Sequence, residues 1–203
     1  MKSVSIALSA VAMATAGPVW ADAPANDGDA LVALKLFASC AVQRTPEGAE
    51  KLLTLDPNGK AYGKAANAYA RGHAMCLHGN SKLKFASLPF AGFLAEALIA
   101  RAKVSVPANS VSVPAISEGP GTLNWIEAVG GCVAKPKPAE VAALFETLPA
   151  SQGEVNALNP TGEALQACIS EGQTLTLNRT AVRAMYALGV YRQSHPLQSK
   201  SEG

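Results

Sequence analysis

Apolar residues recur at helical spacing through most of this chain. In "ALVALKLFASCAV", Leu31, Leu34 and Ala38 fall on one face, and Asp27 or Asp29 is placed to cap the helix they define. Thr45-Pro46-Glu47 reads as a new start, with an N-cap, a proline in the first turn and an acid behind it. Pro57 ends that second helix, and Asn58-Gly59 turns the chain into a third carrying Tyr69, His73 and Cys76. "HGNSKLKF" reads as a loop. Ser87 then opens a fourth helix that buries Phe90, Phe93, Leu94, Ala97 and Leu98.

The same order returns further along. Thr122 is expected to begin a helix with Trp125, Ile126 and Val129, and Pro138 to begin the next. Asn159-Pro160 should interrupt the third, leaving its regular part from Thr161 to Cys168. Asn178 or Thr180 starts the last, with Val182, Met185, Tyr186 and Val190 inward. Between the two sets lies "VSVPANSVSVPAISEGPG", whose prolines favour an extended path.

The echo has a fixed offset. Cys40 and Cys76 are 36 apart, as are Cys132 and Cys168, and the pairs are offset by 92. At that offset Pro46 falls on Pro138, Leu52 on Leu144, Pro57 on Pro149 and Leu83 on Leu175. Nine identities across positions 40–101 would not argue for a repeat by their number. Their kind does, because they include every cysteine and two helix-punctuating prolines. An internal duplication follows. Four cysteines allow three pairings, and two copies that fold alike select Cys40–Cys76 and Cys132–Cys168. A metal site is the alternative, since "HAMCLH" sets His73 and His78 around Cys76. The second copy has Leu165 and Ser170 at those positions, which favours a structural disulfide.

The amino terminus changes the compartment. Lys2 precedes the apolar "VSIALSAVAMATAGPVW", and Val19-Trp20-Ala21 suits a signal peptidase, so residues 1–21 read as a signal peptide and Asp22 as the mature start. A periplasmic or secreted location, oxidising enough for disulfides, is expected. From Asp22 the chain holds 182 residues, enough for one domain or two small lobes. The organisation read from the residues is a first helical repeat over 22–102, a Val/Ser/Pro-rich linker over 103–120, a second repeat over 121–193 and a disordered tail over 194–203. The fold expected is all-α: two tandem four-helix repeats, each with one disulfide, packed into one unit. Trp125 is expected to be buried near the join.

Charge narrows the partners. The full chain carries a formal +2 with acids and bases interspersed, so no basic stripe is available for nucleic acid. No segment after the signal peptide is long and apolar enough to span a bilayer.

The run of a cysteine, a proline six residues on, "AEKLL", a second proline, "CL" and then "FLAEAL" resembles uncharacterised exported bacterial proteins built on a duplicated helical Cys…Pro…Leu-Leu…Pro…Cys unit. That resemblance implies secretion and a helical repeat, and no activity. The second copy departs from it, with Leu188-Gly189 where the first has Glu96-Ala97.

Candidate chemistry is sparse. The chain has no nucleophile elbow, phosphate loop, HExxH or haem-attaching CxxCH. No catalytic residue, cofactor or metal is expected. His73 reads as a half-buried histidine with a backbone partner, against a general base. Arg44, Arg71 and Arg101 are expected to pair with Glu47, Glu50 or Glu96 at the surface. His73 and Glu96 are the weak functional candidates. The function expected is a non-catalytic module binding an envelope protein, a peptide or a small ligand through the groove between copies. The alternative is a small periplasmic hydrolase or redox enzyme.

Overall fold

A computed structural model of the chain describes residues 25–77, 84–103, 106, 124–169 and 177–197. The expected signal peptide, residues 78–83 of "HGNSKLKF", nearly all of the linker and the last six residues of the tail lie outside these residues.

Every regular element among the described residues is helical. The first half contains α1 (Ala25–Arg44), α2 (Pro46–Leu53), α3 (Lys60–Gly72) and α4 (Ser87–Ala102), with a 3-10 turn at Ala74–Cys76. The second contains α5 (Trp125–Ala134), α6 (Pro138–Glu146), α7 (Gln152–Leu158), α8 (Gly162–Ala167) and α9 (Arg179–Ser194), with a 3-10 turn at Asn159–Thr161. Helices α2, α3 and α4 begin at Pro46, Lys60 and Ser87; α6, α7 and α9 begin 92 positions later. No described helix is long and apolar enough to cross a membrane.

Local chemistry explains most boundaries. Prolines stand in the first turn of α2 and α6, where a missing N–H costs nothing. Asn124, Ser151 and Asn178 cap α5, α7 and α9 by accepting from the backbone N–H three residues on. Three expectations need correction. Helix α1 already runs from Ala25, so Asp27 and Asp29 sit inside it rather than at its cap. Helix α5 begins at Trp125, where Asn124 supplies the capping oxygen, while Thr122 lies outside the described residues. The element before Pro160 is a helix from Gln152; the proline converts one turn to 3-10 and α8 resumes at Gly162.

Both disulfides form as expected, Cys40–Cys76 joining α1 to the turn after α3 and Cys132–Cys168 joining α5 to the end of α8. Two disulfides in separate halves belong to an oxidising, extracytoplasmic setting.

The long helices pack in the order α1, α4, α9, α5, and the core runs through all four without a break. Phe37, Phe90, Leu94, Met185, Tyr186 and Leu188 are all but inaccessible to solvent. Backbones approach closely at two crossings. A Cβ on Gly92 would lie 2.5 Å from Ala184, fixing the α4–α9 contact. One on Gly130 would strike the Met185 carbonyl, so only glycine lets α5 lie this close to α9. Trp125 is not buried as expected. It stands at the first position of α5, 39% exposed, and burial on that face begins only one turn later, at Val129.

Candidate ligand cleft

Four charged side chains meet beneath the surface where α1, α4, α7 and α9 converge. Arg183, 1% exposed, donates from Nε to Glu96 Oε1 (2.6 Å) and from Nη2 to Glu96 Oε2 (2.9 Å). Its Nη1 donates to Glu154 (3.2 Å) and to the Thr147 hydroxyl (3.0 Å), and Nη2 also reaches the Thr147 and Phe145 carbonyls. Burial works against the guanidinium charge, but Glu96 and Glu154 outweigh it and hold its pKa above the ordinary value. A planar fork with five donors suits this many acceptors; an ammonium would not.

Lys35 completes the cluster from α1. Its amine donates to the carbonyls of Phe145 (2.6 Å) and Thr147 (3.0 Å) and pairs with Glu96 at 3.2 Å. Burial lowers its pKa, although Glu96 pulls the other way. The lysine and the arginine thus tie α1 and α9 to the end of α6. Arg44, Arg71 and Arg101 do not pair with Glu96, which turns inward from α4 and takes its cations from α1 and α9 instead.

Above this cluster lies a cleft of about 780 Å³ between α1, α4 and α6. Successive turns of α4 supply Phe93, Ala97 and Ala100 along one wall, and Ala139, Ala142 and Phe145 of α6 supply the other. Lys35, Glu96 and Ser39 reach it from the floor. Lys103 and Glu146 are exposed at its edge, and Val106 also lines it. The cleft therefore lies between residues of the first half and residues of the second.

A second buried pair lies across the molecule. Arg192 forks onto Glu127 (2.9 and 3.0 Å) and donates to the Leu53 carbonyl (2.7 Å), locking α9 to α5 and to the end of α2. Sequence reasoning missed both arginines, Glu154 and Glu127, and named Glu96 without its partner. A signal existed: Glu96 and Arg183 each stand alone in an apolar helical run, "FLAEALIA" and "AVRAMYALGV". Stranded opposite charges in core helices satisfy one another more often than they reach solvent.

The two weak candidates are not brought together. Glu96 lines the cleft; His73 does not. His73 Nδ1 donates to the Tyr69 carbonyl (2.8 Å), which leaves Nε2 to accept from the Thr45 hydroxyl at 2.6 Å. Its ring lies against Tyr69, with centroids 4.3 Å apart. Thr45 stands at the N-cap of α2 yet makes no capping bond, since its hydroxyl is turned to the histidine. The imidazole thus bridges the end of α3 to the start of α2. Cys76 is consumed by its disulfide, and among the described residues no three His, Cys, Asp or Glu side chains gather around a metal position. Comparison with protein-family models, with curated proteins and with solved structures finds no match.

Proposed function

We propose that this chain is an exported, non-catalytic binding module of the bacterial envelope, built from a duplicated helical unit, that takes a small ligand in the cleft between its halves. The cleft carries the reading. Its volume falls within the range of small-molecule sites, and its walls are apolar with a few fixed polar groups, as ligand sites generally are. The disulfides, the signal-like first 21 residues and the likeness to exported bacterial proteins support the compartment. Helix starts repeating at an offset of 92 support the duplication. A hydrolase or redox enzyme would need reactive groups facing the cleft. The charged groups on its floor are instead neutralised by one another, and the Thr45–His73 pair lies outside its lining.

The test is native mass spectrometry of the chain from Asp22, purified from envelope extract without denaturation. A small-molecule adduct is expected on the wild type and should be missing from Ala142→Trp, which fills the α6 wall. An adduct retained in full by that variant would move the site elsewhere, and the proposal would fail.

A further inference from the structure

The second half shows what kind of molecule the cleft is shaped for. Helices α4 and α9 occupy positions 92 apart and cross at Gly92 and Ala184, themselves 92 apart. The two halves are therefore related across that crossing by an approximate two-fold rotation. The cleft, framed by α1, α4 and α6, has its counterpart where α5, α9 and α2 meet.

That counterpart is filled by the protein itself. Ala100 corresponds to Arg192 and Ile99 to Tyr191, both of which are buried. Lys35 corresponds to Glu127 and the Phe145 carbonyl to the Leu53 carbonyl, so Arg192 meets there an acid and a carbonyl that need a cation. In the first half the cation is already supplied by Lys35 from α1 on the floor, and position 100 ends at a methyl group. What remains open is the space of a long side chain without the demand for its charge.

We propose that the cleft binds an uncharged, largely apolar small molecule in the space that Tyr191 and Arg192 occupy in the second half. The proposal rests on the binding-module reading above and adds the ligand class. All three Lys35 protons have acceptors, and both Glu96 oxygens are engaged. The ionisable lining residues are two lysines and two glutamates, which sum to zero. A ligand with net charge would lose hydration and gain no uncompensated partner on the floor. An apolar one gains in proportion to the area it covers on Phe93, Ala97, Ala100 and Ala142. One polar group can orient it. The Ser39 hydroxyl reaches the cleft and holds no hydrogen bond among the described residues.

Two probes sharing one aromatic frame separate the possibilities: neutral N-phenyl-1-naphthylamine and anionic 1-anilinonaphthalene-8-sulfonate. Both are titrated by fluorescence against the disulfide-bonded chain from Asp22. The neutral probe should bind roughly tenfold more tightly than the anionic one. Ala100→Trp and Ala142→Trp, from opposite walls, should each weaken it at least about tenfold with little change in melting temperature. Ala100 is exposed, so the larger side chain has room to be accepted. If the anionic probe binds as tightly or more so, and both variants abolish it, the ligand class is wrong while the cleft stands as a binding site. If binding ignores both variants, or neither probe binds, the cleft reading falls as well. A wild-type dimer that Ala100→Trp converts to monomer would assign the cleft to a second copy and overturn the proposal.

Discussion

Replacing Arg183 by methionine should be among the most damaging single changes available to this protein. The guanidinium sits 1% exposed among Glu96, Glu154, Thr147 and the Phe145 carbonyl. Methionine fills most of the volume, so the loss is electrostatic rather than steric. Among the described residues Glu96 would keep only Lys35, at 3.2 Å, and Glu154 only the Ala150 N–H, at 2.9 Å. Breaking a buried pair by removing one partner costs about 3–5 kcal/mol, because the remaining charge stays buried without compensation. The residual partners place Arg183→Met near the lower end, about 3 kcal/mol. For a chain of this length that is a fall of roughly 10 °C in melting temperature. Urea unfolding followed by circular dichroism at 222 nm measures it. Arg183→Lys should be intermediate, keeping the charge and losing the fork. A double-mutant cycle with Glu96→Gln should show coupling of about 1.5 kcal/mol or more. A loss under about 1 kcal/mol for Arg183→Met, or strict additivity in the cycle, would refute the view that this cluster joins the halves.

Four further outcomes are expected. Burial raises the Tyr186 phenol to about 12, against an ordinary 10, and pushes Tyr62 up as well, so above about pH 10 the unfolded chain sheds those protons first and stability falls. Each such tyrosine contributes about 1.4 kcal/mol per pH unit within its window, and Tyr186→Phe should flatten the alkaline limb by that amount; an unchanged limb would refute it. Lys35 acts with the opposite sign, since its lowered pKa makes stability rise with pH below 10.5, and Lys35→Met should remove that rise. The Tyr62 hydroxyl is buried without a hydrogen-bond partner among the described residues, so Tyr62→Phe should be neutral or stabilising by up to about 1 kcal/mol in thermal melts, and a clear loss would reveal a partner. Removing Cys40 and Cys76 together, or Cys132 and Cys168 together, should each cost about 2–5 kcal/mol with helix content retained; loss of all helical signal in either variant would show that the bridge directs the fold rather than stapling it.

The helical elements and the disulfides were legible because their causes are local or follow from the offset of the cysteine pairs. Proline in the first turn, a capping Asn178 and apolar residues at helical spacing act within one turn of chain, so α2, α4, α6 and α9 could be placed from the residues alone. The interior of α4 and α9 was legible for the same reason. Pro160 was read as a break, although it only tightens one turn between two short helices, because neighbouring packing absorbs a change that propensity counts as a stop. Trp125 was misplaced because size and hydrophobicity say that a side chain gains by burial, not which turn of its helix meets a partner.

The cleft and the charge cluster belong to the tertiary structure. Glu96 and Arg183 lie 87 positions apart and Lys35 meets the end of α6 more than 100 positions away, so no spacing rule links them. Their meeting depends on how closely two helices cross, and that is set by Gly92 against Ala184 and Gly130 against the α9 backbone. The opening at Ala100 is likewise invisible in one half read alone. An alanine there is an ordinary helical residue until the folded halves show that Arg192 fills the matching place on the other side. Local sequence determined which segments are helical, and the repeated spacing of the cysteines selected their pairing. The approach of backbones across the core decided which charges are buried together and where space was left.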